Sequence, residues 1–274
     1  MGAGRSGSTI LGITLGNCAG LFYAGELDKW LRSDGRSPLR GEERARFWGA
    51  VRDEVDVPPE LFGRAARCIE QSSAAFQPST WAAQRRLRRQ YRRAAQEVYR
   101  AVARTAGVSC IVDSSHFPRR ARELQALNGI DLYILFLVRD PHSVVASWGR
   151  EDVIEPQFGE RKANAYLWLT YLLSLYAFLR QPRDRRLLVR HESFVSDPEG
   201  VLRDILQWLG SPAGVPDLSS LETGVPFWGN RVVKSDVVTL EARQALEPRR
   251  SRMTTLLQLP WRAVFSLLRP AARS

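Results

Sequence analysis

Alternating strand-type and helix-type segments make this 274-residue chain an α/β protein. It is expected to fold as one domain over 1–274, around a central, mostly parallel sheet flanked by helices. Three observations carry that expectation. Residues 131–138, ending Ile134, Leu135, Phe136, Leu137 and Val138, are apolar almost without interruption, as a strand buried on both faces requires. Short apolar runs at 108–112 and 186–190 repeat the signature between helical patterns. The chain also opens on a glycine-rich turn that runs straight into apolar Ile10, Leu11, Ile13 and Leu15, the order of a loop feeding a helix.

A strand should precede such a loop, yet only Met1, Gly2 and Ala3 stand before it, so the first strand is expected to be cut short. Residues 25–59 read as polar and helical, with a loop at 33–41. A long helix over 80–105 follows from Leu87, Tyr91, Ala94, Ala95, Val98 and Val102, which recur every three or four residues. Its other faces carry Arg85, Arg86, Arg88, Arg89, Arg92 and Arg93, a solvated face by default that is also able to steer an anion. Gly107 ends it, and strand 108–112 closes on Asp113, Ser114, Ser115, His116 and Pro118. A helix over 119–127 leads into the strong strand, which stops at Arg139, where Asp140 and Pro141 cap and start a helix with His142 on its surface. Residues 163–179 are too short for the roughly 20 that cross a bilayer, and Asn164, Thr170 and Ser174 interrupt them, so they read as a buried helix. Strand 186–190 precedes a helix capped at Asp197 and Pro198. The C-terminal stretch 249–274 reads as a basic and apolar helical tail. It either docks on the domain or makes peripheral contact with a membrane.

Apolar residues at 44% and charged residues at 25% exclude a disordered or fibrous chain. Lysine and arginine outnumber acids 40 to 29, a net charge of +11 that points to an anionic partner. Nucleic acid is not expected, since no aromatic-interleaved platform or groove-reading motif accompanies the charge. Cys18, Cys68 and Cys110 are far apart and odd in number, which argues against a disulfide framework or a thiolate zinc site and fits a cytoplasmic protein; no metal is expected. The opening residues lack the charged start and apolar core of a secretory signal.

The sharpest chemistry lies in the opening turn. Gly2, Gly7, Ser8 and Thr9 reproduce the Walker spacing, with Ser8 where the lysine belongs. Backbone amides still converge on an anion at a helix start, Ser8 and Thr9 add hydroxyls, and Arg5 adds charge. An ordinary glycine-rich turn with a hydroxyl cap remains the alternative.

Gly4, Arg5, Ser6, Gly7, Ser8 and Thr9 together resemble the 5′-phosphosulfate loop of sulfotransferases that use 3′-phosphoadenosine 5′-phosphosulfate (PAPS). Arg139, with Ser147 eight residues later, resembles the family's 3′-phosphate pair. The segment around Ser115, His116 and Pro118 resembles its strand-end motif with catalytic His or Lys. Residues 190–194, then Asp197 and Trp208 to Gly210, resemble a further motif in which His191 stands in place of a Tyr near the adenine. Gly229, Asn230 and Arg231 resemble the late loop that closes over the donor. Ala24, Gly25, Glu26 and Leu27, with Phe47 and Trp48, resemble bacterial members related to the carbohydrate and tyrosylprotein branches.

The resemblance implies a P-loop-type sulfotransferase fold. It also implies a reaction moving a sulfuryl group from PAPS to a hydroxyl of a small metabolite, glycan or lipid, leaving 3′-phosphoadenosine 5′-phosphate (PAP). Such a transfer is an in-line displacement in which positioning and fixed cations supply most of the acceleration, here Arg5 and the loop amides. An acceptor hydroxyl needs a base. His116, at a strand's C-terminal end, is the first candidate and Glu26 the competitor, while a structural role for His116 is the plain alternative. Ser114 and Ser115 read equally as caps or as contacts to sulfate or acceptor. The acceptor pocket is expected from residues 25–76 and 151–166. Two other classes compete. One is a P-loop kinase or other nucleotide-binding protein, disfavoured by Ser8 in the lysine position; the other is a non-catalytic basic anion-binding protein.

Overall fold

The computed structural model describes residues 1–71, 74, 77–149, 159–244 and 250–268. In chain order the helices and strands are α1 (Ser8–Gly16), β1 (Leu21–Gly25), α2 (Glu42–Asp53), α3 (Arg64–Glu70), α4 (Trp81–Ala106), β2 (Cys110–Asp113), α5 (Pro118–Leu124), β3 (Ile134–Val138), α6 (Pro141–Trp148), α7 (Glu160–Leu179), β4 (Arg186–Arg190), α8 (His191–Ser196), α9 (Pro198–Trp208), β5 (Leu221–Glu222), β6 (Val237–Val238) and α10 (Arg252–Leu267). They divide into two compact units built from interleaved segments. The first holds 1–8, 133–212 and 241–274, the second 9–132 and 213–240.

In the first unit β3 pairs in parallel with β4, from Ile134 opposite Arg186 to Val138 opposite Arg190. On the opposite edge of β3, Gly2 forms a parallel bridge to Leu137, and the Met1 amino group donates to the Leu135 carbonyl at 2.8 Å. The short first strand therefore exists, reduced to a bridge. Phe136 is buried, and its ring meets Tyr171 and Phe178 of α7 and Phe265 of α10. The expected caps form: Asp140 Oδ1 accepts from the Ser143 amide at 3.1 Å, and Asp197 Oδ1 from the Gly200 amide at 2.9 Å.

Two expectations are corrected here. His142 is buried instead of lying on the surface, because α10 lies over it: Nδ1 accepts from the Ser251 amide at 3.3 Å, and Nε2 lies 3.3 Å from Thr255 Oγ1. The helix over 163–179 is buried on one face only. Trp168, Leu172, Tyr176 and Leu179 are exposed, at the three- and four-residue spacing of a helical stripe.

In the second unit β1 runs parallel to β2, pairing Leu21 with Cys110 through Tyr23 with Val112 before a bulge brings Gly25 opposite Asp113. Strand β1 was not expected. Its five residues end in a glycine and abut a polar helical stretch. Gly25 has φ 75°, and a Cβ there would stand 2.2 Å from the Trp228 carbonyl oxygen, so only glycine fits. Helix α4 buries Leu87, Tyr91, Ala94, Ala95, Val98 and Val102, the stripe its spacing indicated, against Trp30, Trp48, Leu61 and Ile69. Gly107 closes it with φ 67°. On its arginine face Arg88 and Arg92 pair with the two oxygens of Glu123 at 3.1 and 2.8 Å. Strands β5 and β6 form a small antiparallel pair. The class is thus mixed α/β, with one small parallel pair in each unit. No helix among the described residues is long and apolar enough to cross a membrane.

Candidate active site

In the first unit the opening loop and the end of β3 meet. Arg5 takes φ 70°, a left-handed conformation costly for a side-chain-bearing residue, and Gly7 takes φ 91°. Those angles turn the loop over Arg139, whose Nη1 donates to the Arg5 carbonyl at 2.9 Å. The Arg5 side chain donates from Nε to Ser147 Oγ at 3.2 Å. Gly4, Arg5, Ser6, Gly7, Arg139 and Ser147 are therefore one cluster, although they lie far apart in sequence. Within it Ser6 is buried, and its hydroxyl finds no hydrogen-bond partner among the described residues. A buried hydroxyl without a partner among the described residues, in a loop that carries Arg5 and is contacted by Arg139, is an arrangement an anion completes. Arg139 is held from below by its neighbours: Tyr171 donates to its carbonyl at 3.1 Å, and the next amide, Asp140, donates to Glu192 Oε1 at 2.8 Å. Burial, foremost, lowers the Arg139 guanidinium from its ordinary value, with Arg243 and Arg5 adding and Glu192 and Asp140 opposing.

His191 belongs to the same cluster. A Cβ on Gly7 would stand 2.6 Å from its Nδ1, so the imidazole lies against the loop, and that nitrogen is buried without a hydrogen-bond partner among the described residues. Burial first, then the charges of Arg139 and Arg243, push it down to about 4, which keeps the ring neutral through the physiological range.

The remaining expected residues lie in the second unit, except for Ser8, the last residue of the first and the start of α1. Thr9 is buried, and Gly229 packs close to it: a Cβ on Gly229 would be 3.6 Å from Thr9 Cγ2 and 2.7 Å from Val233. Asn230 and Arg231 follow on an exposed turn, the Arg231 amide donating to Asn230 Oδ1 at 2.7 Å.

Glu26 and His116 leave the same end of the β1–β2 pair, where the Ser114 amide donates to the Gly25 carbonyl at 2.9 Å. The His116 ring stacks on Phe117 at 4.5 Å, and Glu26 lies 3.9 Å from Lys29 Nζ. Both serines are engaged internally: Ser114 Oγ lies 3.0 Å from the Tyr23 hydroxyl, and Ser115 Oγ accepts from the Asp28 amide at 2.9 Å.

Three residues that sequence reasoning passed over organise this corner. Asp113 Oδ1 accepts from the Leu27 amide at 3.3 Å and the Ser115 amide at 2.7 Å, while Oδ2 accepts from Tyr99 and Arg120. Burial alone would raise its carboxyl, but Arg120 and the hydrogen bonds from Ser115 and Tyr99 hold it below the usual range. Arg120 also reaches Glu70 at 3.0 Å. Lys29 lies over Phe117 and Trp228, about 6.0 and 5.9 Å from the ring centres. Beside this set Asp28, four residues before Arg32, shows an ion-pair spacing in the sequence that the structure realises at 3.0 Å. Among the described residues no group of His, Cys, Asp or Glu is placed to hold a metal ion, and the three cysteines are free. Residues 72–73, 75–76 and 151–158 of the expected acceptor pocket lie outside the described residues.

A family model described as the sulfotransferase family matches residues 1–216. The fold is similar to the sulfotransferase domain from the curacin biosynthetic pathway, with TM-score 0.54, 17% identity and 95% of each chain covered. It is also similar to the sulfotransferase domain from the Synechococcus PCC 7002 olefin synthase, with TM-score 0.56, 20% identity, and 95% of this chain and 92% of that one covered. At these identities the likenesses establish the fold. No curated protein matches the sequence.

Proposed function

This chain belongs to the sulfotransferase family, and on that footing we propose that it transfers a sulfuryl group from PAPS to a hydroxyl of a small metabolite, glycan or lipid. The observation that carries the donor assignment is the contact of the strand-end guanidinium with the opening loop, Arg139 Nη1 to the Arg5 carbonyl at 2.9 Å, beside the orphaned Ser6 hydroxyl. The donor supplies an activated sulfuryl group on a phosphate leaving group. Gly4, Arg5, Ser6, Gly7, Ser8 and Thr9 offer amides, hydroxyls and one guanidinium for its 5′ side. Arg139 and Ser147 offer a forked cation and a hydroxyl for its 3′-phosphate. His191 offers a neutral ring to the donor, and Gly229, Asn230 and Arg231 act as the closing loop. Fixed cations already in place neutralise departing charge without reorganisation, which is where a loose displacement gains most of its rate.

His116 is assigned as the base that takes the acceptor proton, with Glu26 as its competitor. Glu26 is the weaker choice because its carboxylate is already engaged by Lys29 Nζ, 3.9 Å away. Calorimetric titration with PAP tests the donor assignment: binding by the wild type and a loss of about tenfold or more in Arg139→Ala are expected. Absence of PAP binding to the folded wild type overturns it. Turnover in a labelled-donor screen against cell extracts then separates the bases. Near-normal turnover in His116→Ala together with loss in Glu26→Gln reverses their roles.

A further inference from the structure

We propose that the outer faces of α7 and α10 together form a surface that docks on an anionic lipid bilayer without crossing it. Helix α10 is turned opposite to a solvated helix. Its sheltered side holds polar Thr254 and Gln258 along with Trp261 and Phe265. The polar pair bonds inward there: Gln258 Nε2 donates to Asn164 Oδ1 at 2.9 Å, Asn164 Nδ2 donates to Thr254 Oγ1 at 3.0 Å, and Thr254 Oγ1 donates to Glu160 at 2.9 Å, while Gln258 Oε1 is buried with no partner among the described residues. Its outer side carries Leu256, Leu259 and Leu267, exposed to 73%, 57% and 81%. Hydrogen-bonding groups turned inward and leucines turned outward suit a helix whose outer neighbour is not water.

The exposed stripe of α7 adjoins that face. Trp168 Nε1 donates to the Leu257 carbonyl at 2.7 Å, and Leu172, Tyr176 and Leu179 continue the stripe beyond it. The charges around the patch choose the occupant. The two helices carry Arg161, Lys162, Arg252 and Arg262 against Glu160 alone, and Glu160 is the acceptor of the Thr254 hydroxyl. Arg180 follows α7 with its guanidinium 5.5 Å over the Tyr176 ring. Leucines for the acyl boundary, Trp and Tyr at headgroup level and a basic rim for lipid phosphates make the composition of an interfacial surface. A second copy of the chain fits less well. An isologous contact would bring this basic rim against itself in a molecule of net charge +11. Docking of the C-terminal helix on its own unit and membrane contact are thus not alternatives, since opposite faces of α10 serve them. Arg249 and residues 269–274 of the expected tail lie outside the described residues.

The test is co-sedimentation of the full chain with phosphatidylcholine vesicles, with and without phosphatidylglycerol. It compares wild type with the double variant Leu256→Ser and Leu259→Ser and with Leu172→Ser, all at exposed positions. Binding to the phosphatidylglycerol vesicles, weakened by salt and by about tenfold or more in the double variant, is the expected result. PAP titration of the same variants keeps this outcome separate from the donor assignment, and unchanged far-ultraviolet circular dichroism checks that they are folded. Failure of the wild type to bind anionic vesicles overturns the proposal, as does equal binding by folded variants. Sedimentation velocity showing a dimer that the double variant dissolves also overturns it, in favour of a second copy.

Discussion

Replacing His191 by glutamine removes a titrating group that the fold holds neutral. Burial, foremost, and the charges of Arg139 and Arg243 lower the imidazole from 6.5 to about 4. A base with a depressed folded value binds fewer protons folded than unfolded between those two values. Its contribution to stability is therefore complete above 6.5 and drains away as pH falls toward 4. A displacement from 6.5 to about 4 has a ceiling of about 3 kcal/mol, of which about 2 kcal/mol is gone by pH 5. Screening by solvent at the partly exposed edge of the ring reduces the expected loss to about 1–2 kcal/mol. Urea unfolding near pH 7.5 and near pH 5 measures it: the wild type should lose about 1–2 kcal/mol more than His191→Gln over that interval. Equal losses in the two proteins would refute the reasoning, because the imidazole would then titrate alike folded and unfolded. The same geometry extends to ligand. An anion held by the loop beside His191 raises its pKa, so PAP binding should take up protons and tighten toward pH 5 in the wild type but not in the glutamine variant.

Gly7→Ala should abolish PAP binding, because φ 91° costs an alanine about 1–3 kcal/mol and its Cβ would fall 2.6 Å from His191 Nδ1. Titration reads the loss and circular dichroism shows whether the fold persists; unchanged affinity would mean that the loop is not the cradle. Asp113→Ala should lower the unfolding free energy by about 2–4 kcal/mol in urea, since it strips Arg120 of one partner and leaves two amides unsatisfied. It should also cut turnover far more than PAP affinity, since every group assigned to the 3′-phosphate lies in the other unit. A parallel fall in both measurements would remove the assignment.

Much of the fold was legible because its periodicities are strong. The stripe of α4 over Leu87, Tyr91, Val98 and Val102 is the side that enters the core, and β3 reads from its unbroken apolar run. Strand β1 was hidden because it is only five residues long, ends in the bulge at Gly25, and adjoins residues that twist into single turns at Leu27–Lys29 and Leu31–Ser33. Composition could not mark the two units, because the chain passes between them and each gathers segments from both sides of the other. The one-sided burial of α7 was hidden for a different reason. Leu172 and Tyr176, which face outward, are as apolar as Leu167 and Tyr171, which face the core, so nothing in the pattern separates the two sides.

The site divides along the same line between local and long-range information. Arg139 and Ser147 are eight residues apart on one strand–helix turn, and the loop is contiguous, so both were visible as residue types at a spacing. What joins them is not local: the contacts of Arg5 with Arg139 and Ser147 span more than a hundred residues. The base candidates show the same limit more sharply. Glu26 and His116 are rivals in the sequence on different grounds, His116 by its place at a strand end and Glu26 by the family resemblance around Gly25 and Glu26. Asp113 Oδ1, however, takes the amide of Leu27 beside one and the amide of Ser115 beside the other. One carboxylate therefore sets the position of both loops, and Tyr99 and Arg120 hold that carboxylate from behind. A substitution at either candidate disturbs a shared scaffold, so the identity of the base has to be read from the difference between His116→Ala and Glu26→Gln and not from either loss alone.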